Sequence, residues 1–266
     1  MVRLNELHRL ATAIRLRAVQ MVAPQGFGYL GQALSAAEQY AAVYGAALRP
    51  GIDRVVCSPA HYVVAVYAAA AETGLLDEAA LASYGQNGSA LEAIGTERSP
   101  VPDYTCGSLG QGLSAAAGFV LADRLLGRAD ARTFAFCSDG EMQEGQVWEA
   151  AMFAGHYRLD RLTVLLDANN SQVDGPVDTI TTIEPIAAKW QAFGWDTADL
   201  DGHDVDAVAA ALAAGSSRPR ILICRTSTRH GLTCLPPDAD GHFIKLPPDL
   251  VAAATAELSA ELARHG

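Results

Sequence analysis

Two kinds of apolar run alternate along the chain. The runs at 132–137 (RTFAFC), 161–167 (RLTVLLD) and 218–226 (RPRILICRT) are short and nearly continuous, which predicts strands buried on both faces. Longer, mostly Ala-rich segments at 34–48, 60–73, 110–126, 143–157, 204–214 and 248–264 predict helices. Near the N-terminus Leu4, Leu7, Ala11, Ile14 and Ala18 fall on one face, with charges recurring from Arg3 to Arg17, which predicts an amphipathic helix. Strands alternating with helices argue for an α/β chain: a three-layer α/β/α arrangement around a mostly parallel sheet. There is no low-complexity linker or internal repeat, so residues 1–266 read as a single domain. In such sheets ligands bind beyond the carboxyl ends of the strands.

Composition narrows the classes. At 266 residues and 50% hydrophobic, the chain can bury a large core. A net charge of −11 argues against nucleic acid or an anionic membrane as partner, since both need a basic surface. The cysteines, Cys57, Cys106, Cys137, Cys224 and Cys234, form no CxxC pair and are odd in number, which points to a reduced, cytoplasmic setting. Cys137 ends an apolar run and reads as a buried strand residue. No segment is long and apolar enough to span a bilayer, and the N-terminus lacks the apolar core of a secretory signal.

The chemistry concentrates between Ser138 and Gly175. Asp139 follows one strand and Asn169 follows the next, with a crossover-length helix between them. Asp139, one residue past a buried strand, is expected to be exposed at the sheet edge. Alone it reads equally as a helix cap or a ligand; Asn169 shifts the reading to ligand, because two oxygen donors then converge as a hard divalent cation requires. Asn170 reads as a turn residue, tolerant of left-handed geometry. The segment from Gly107 to Gly112 (GSLGQG) could let a backbone approach an anion or simply begin a helix. It lacks the ending of a nucleotide P-loop, and no clear strand precedes it as a dinucleotide fingerprint requires. His61, His203 and His242 are each ambiguous alone, as packed, capping or loop residues. Glu144 alone reads as a solvated first-turn helix residue.

Six landmarks in order, SPAH, GSLGQGL, SDGEMQEG, LDANNSQVDG, DGHD and RTSTRHG with His242, resemble the N-terminal half of transketolases. The pair Asp139-Gly140 and Asn169-Asn170 is similar to the GDG…NN signature of thiamine diphosphate enzymes, with Ser138 in place of the first glycine. The resemblance implies a thiamine diphosphate-binding fold with Mg2+ (or Ca2+ or Mn2+) held by Asp139, Asn169 and the Ser171 carbonyl. It implies that His61 and His242 contact the diphosphate or the reacting centre. Gly107, Ser108 and Leu109 would lie near the thiazolium ring, and Gly140 and Glu141 beside the cofactor. Glu144 would sit at a subunit interface and relay a proton, so His242, Glu144 and His61 are the catalytic candidates.

Transketolases continue with a pyrimidine-binding and a C-terminal domain, so the resemblance implies a split enzyme. A partner chain would supply the activating glutamate, in an α2β2 assembly. Two sugar-binding histidines of the family align with Tyr29 and Ile94 here, so the donor is expected to be something other than an ordinary pentose phosphate. The expected activity is transfer of a two-carbon ketol or acyl unit from a ketose or 2-keto donor. A decarboxylating 2-keto acid subunit, like a pyruvate dehydrogenase α-subunit or a deoxyxylulose phosphate synthase, is the alternative. A non-catalytic scaffold or regulatory subunit is a third reading.

Overall fold

Along each central strand the side chains alternate between two apolar clusters, one on each face of a sheet. The structure, a computed structural model, describes residues 4–265; Arg3 and the side chain of Leu4 lie outside what it describes. Its elements run α1 (Leu4–Val22), β1 (Phe27–Gly28), α2 (Leu30–Ala42), β2 (Arg54–Pro59), α3 (Val63–Glu72), β3 (Tyr104–Cys106), α4 (Gly112–Leu125), β4 (Thr133–Ser138), α5 (Gly145–His156) and β5 (Leu162–Ala168). They continue with α6 (Val177–Ile180), α7 (Ile186–Ala192), β6 (Asp196–Asp201), α8 (Val205–Ala213), β7 (Arg220–Arg225), β8 (Ile244–Lys245) and α9 (Pro248–Arg264).

Six strands form one parallel sheet in the order β3-β2-β4-β5-β7-β6. Phe134, Phe136, Leu165 and Leu222 face a cluster built with α1, α2, α3 and α8. Ala135, Cys137, Val164 and Ile221 face the other, built with α4, α5 and α7. This is the expected three-layer arrangement, and the period-2 alternation of a pleated strand produces it. The amphipathic reading of α1 holds where it is described: Leu7, Ala11, Ile14 and Ala18 are buried. Cys137 is buried in β4, and all five cysteines are free. No described helix is long and apolar enough to cross a membrane.

Three sheet strands go beyond the sequence reading. β2 runs almost directly into α3, so their apolar residues merge into one stretch. β3 is three residues long, and it does precede the GSLGQG segment, contrary to the expectation that no strand does. β6 is an edge strand reading DTADLD, in which solvent permits polar residues. Helix α2 also starts at Leu30, four residues before the expected boundary at 34.

The connection after β2 leads to one edge of the sheet and that after β4 leads toward the other, so the strand order switches between them. A crevice opens beyond the strand ends at such a point. His61, after β2, and Asp139, after β4, both lie there.

Candidate functional site

The β4–β5 register pairs Ser138 with Asp167, which brings the residues after both strands side by side. Asp139 caps the short turn Gly140–Gln143: its Oδ1 accepts from the Gly140 N–H at 2.9 Å, and its Oδ2 accepts from the Asn170 N–H at 2.5 Å. Asn170 has φ +56°, the left-handed geometry expected of it, and so aims its N–H at Asp139. Asp139 is buried, not exposed as the sequence suggested, because the loop after β5 folds over it. Asp139 therefore acts as a cap, one oxygen serving each backbone neighbour while lone pairs remain.

Asn169 is oriented from behind. Its Nδ2 donates to Asp167 Oδ2 at 2.7 Å, and its Oδ1 accepts from the Ser171 N–H at 2.9 Å. The reverse amide orientation would set oxygen against carboxylate and NH2 against N–H, so Oδ1 is the atom left for a further ligand. Asp167, 1% exposed, also accepts from Ser35 (2.5 Å), Tyr62 (2.8 Å) and Thr226 (2.5 Å). Burial pushes Asp139 up to about 7, with the Asp167 charge as the second cause. Burial raises Asp167 as well, against the hydrogen bonds that favour its ionised form. No lysine or arginine appears among the described residues lining the cleft. Two buried carboxylates without a cationic side chain, beside an open amide oxygen, suit a hard divalent cation.

The cleft above has a volume of about 490 Å³ and takes in His61, His242, Tyr29, Ile94, Gly140 and Glu144. Gly107, Leu109 and Ser171 also line it, while Ser108 is exposed on the same loop. The His61 and His242 rings lie 5.0 Å apart between centroids, and Tyr29 packs on both, at 5.1 and 5.6 Å. Burial holds His61 down at about 3, helped by His242, and burial lowers His242 too. Both imidazoles are thus neutral at pH 7. A Cβ on Gly140 would meet Gln172 only at ordinary contact distance, so space remains over this backbone. Glu144 is exposed at the rim, just before α5.

Glu141 departs from its expected place beside a cofactor. Its side chain is fully buried and turned back into the fold, accepting from Ser58 Oγ at 2.5 Å, the Gly110 N–H at 2.8 Å and the Ser138 N–H at 3.1 Å. It is a strut tying the GSLGQG loop to the ends of β2 and β4. At Gly112 a Cβ would sit 2.4 Å from Ser58, so only glycine lets α4 approach β2 this closely. Burial pushes Glu141 up to about 6.

His203 lies outside the cleft. Its Nε2 accepts from the Ser227 N–H at 2.8 Å, so the proton sits on Nδ1, 3.3 Å from Glu38 Oε2. His230 stacks on it at 3.6 Å. Glu38, His203 and His230 bring metal-type atoms within 4.8 Å of one another, but Glu38 is committed to Arg15 at 2.6 Å and His203 faces it with a donor. Burial opposes ionisation of Glu38, yet Arg15 and His203 outweigh it and hold the carboxyl at about 2. This cluster is an ion-pair network that ties α1 to α2.

Sequence reasoning missed Asp167, Ser35 and Gln32. The available signal was polar side chains inside runs otherwise fit only for the core, as in LTVLLDA and LGQALSAAEQYAA.

Comparisons with known proteins identify the family. The family model described as transketolase, thiamine diphosphate binding domain, matches residues 7–261. The chain is 39% identical over 259 residues to the transketolase family protein y4mO of Sinorhizobium fredii, covering 92% of each. It is 35% identical to the 6-deoxy-6-sulfo-D-fructose transketolase subunit SqwG of a Clostridium species, covering 96% of this chain and 97% of that one. It is 30% identical to mouse transketolase, of which it spans 43%. The transketolase structure from Campylobacter jejuni superposes with a TM-score of 0.85 over the whole chain and 46% of that protein, at 22% identity, a likeness of fold. The landmarks around Asp139 and Asn169, the family match and these relatives together place the chain in the transketolase family, over its thiamine diphosphate-binding domain.

Proposed function

We propose that the chain is the cofactor-binding subunit of a two-chain, thiamine diphosphate- and Mg2+-dependent transketolase-like enzyme. The observation that carries this reading is the placement of Asp139 and Asn169 just beyond the paired ends of β4 and β5, with the Asn169 amide oriented by its Nδ2 bond to Asp167. Asp139, Asn169 Oδ1 and the Ser171 carbonyl would hold the cation. His61 and His242 would meet the diphosphate. Bound thiamine diphosphate would supply an electron sink for cleavage of a bond next to a carbonyl. The chain's own contribution is orientation and two neutral imidazoles able to donate or accept hydrogen bonds without carrying charge. The two-chain reading draws support from one relative's description as a subunit. An α2β2 assembly, with Glu144 at the subunit interface and a partner supplying the activating glutamate, completes it.

The direct test is to co-purify the chain with the product of the adjacent open reading frame, add thiamine diphosphate and Mg2+, and offer ketose and 2-keto acid donors. Donor consumption is expected only with both chains. A complex that neither binds the cofactor nor consumes a donor would favour a scaffold.

The donor is expected to differ from a pentose phosphate, because Tyr29 and Ile94 bring a ring and an alkyl group to the cleft. The same pair supports the second reading, cleavage of a 2-keto acid with release of CO2, and CO2 measurement separates the two. Restoring Tyr29→His with Ile94→His should raise turnover of xylulose 5-phosphate by about tenfold, equivalent to about 1.4 kcal/mol of transition-state binding. An unchanged rate would remove these two positions as the basis of donor choice.

A further inference from the structure

Helix α2 is buried at all thirteen positions, yet it carries Gln32, Ser35, Glu38 and Gln39. Buried polar groups need partners, and these point to what lies behind the cleft. Ser35 and Gln39 donate to Asp167. Gln32 ends on the His242 segment, where its Nε2 lies 3.0 Å from the His242 carbonyl oxygen and 3.1 Å from His242 Nδ1.

A carbonyl oxygen only accepts, so the Gln32 atom facing it is the NH2 nitrogen. That nitrogen has no lone pair to offer Nδ1, so Nδ1 must accept and the ring proton must sit on Nε2. The segment has little freedom to escape this pairing. A Cβ on Gly31 would stand 1.8 Å from the Gly241 carbonyl oxygen, so α2 and the loop meet at backbone contact. The β1–β8 pairing, Gly28 with Ile244, and the Asp240 carboxylate accepting from the His242 N–H at 2.8 Å fasten the loop on both sides.

We propose that Gln32 is a positioning residue that holds His242 in its Nε2–H tautomer, so that this ring serves the cleft as a hydrogen-bond donor. What the donor meets rests on the functional reading above: an oxyanion of thiamine diphosphate. Gln32 touches neither substrate nor cofactor in this arrangement and acts through His242.

The test is nitrogen-15 NMR of the full chain with labelled histidine, with His242 assigned from the spectrum of His242→Gln. The wild-type chain should show Nε2 protonated and Nδ1 bare. Gln32→Leu should give a mixture of tautomers and weaken thiamine diphosphate binding, titrated with Mg2+ present, about tenfold. Gln32→Glu should draw the proton to Nδ1. A purely packing role would alter the melting temperature and leave the tautomer alone. A wild-type Nδ1–H, or a Gln32→Leu chain with the wild-type tautomer, overturns the proposal. Should Gln32→Leu not fold, Gln32→Asn, too short to span the same gap, takes its place. A wild-type chain with the Nε2–H tautomer whose complex with the partner chain binds no thiamine diphosphate leaves this inference standing and sinks the functional reading instead.

Discussion

Asp139→Asn is expected to abolish the rise in melting temperature that thiamine diphosphate and Mg2+ together give the wild-type complex. Both Asp139 oxygens already accept backbone N–H groups, from Gly140 and Asn170. An amide in that place sets an NH2 group against one of them and removes the charge that a hard cation needs. A ligand that binds only the folded state at 100 times its Kd adds about 2.7 kcal/mol. That corresponds to a rise on the order of 5–10 °C for a chain of this size. The variant should lose that rise and bind the cation at least about 100-fold more weakly. A retained rise would refute Asp139 as a ligand.

The same residue sets a pH dependence. Burial and Asp167 hold the Asp139 carboxyl at about 7, above its unfolded value. The folded, cation-free chain therefore binds this proton more readily than the unfolded chain does. Its contribution to stability is fully present below the unfolded pKa, and it is lost as pH rises through about 7. Cation binding at Asp139 would run the opposite way, because it requires the ionised form. Affinity for Mn2+, followed by titration from pH 5.5 to 8.5, should rise about tenfold per pH unit up to about 7 and then level off. A flat profile across that range would show that Asp139 is already ionised without the cation.

How much of this was legible in the sequence depends on where each polar residue sits. Asp139 and Asn169 stood out because each directly follows an apolar run that could only be a buried strand. The position of a strand end follows from sequence alone, so their meeting at one edge followed too. Asp167 looked like the last residue of its strand, and its role depends on donors 132, 105 and 59 residues away in sequence. Local pattern carries no record of such partners. Glu141 shows the reverse error. The family resemblance implied a place beside the cofactor, but the Glu141 carboxylate accepts from Ser58 and the Gly110 N–H in the folded chain. The edge strand β6 escaped notice because solvent relieves it of the apolar alternation that identifies a strand.

Asp167→Ala is the substitution with the largest expected cost to stability. It leaves the hydroxyls of Ser35, Tyr62 and Thr226 and the amide of Asn169 without their acceptor; Ser35 and Tyr62 are buried, Thr226 and Asn169 half-buried. Each buried orphan donor costs about 1–3 kcal/mol, and their sum is reduced where neighbours re-pair. A net loss of about 3–5 kcal/mol is expected, read as a lower urea midpoint at unchanged slope. A loss below about 1 kcal/mol would mean that the donors find other partners and that the network is no keystone. Asp167→Asn keeps the shape and removes the charge, so it separates packing from electrostatics. Without the Asp167 charge one of the two forces holding Asp139 up is gone, and the pH midpoint for Mn2+ binding should move below 7 while burial keeps it above the ordinary carboxylate value. A midpoint that stays put would assign the whole of the Asp139 shift to burial. A midpoint that falls would show that two carboxylates share one buried site, kept apart in role by their hydrogen bonds: Asp167 saturated with donors, Asp139 held by two backbone N–H groups between the cleft-lining residues Ser138 and Gly140.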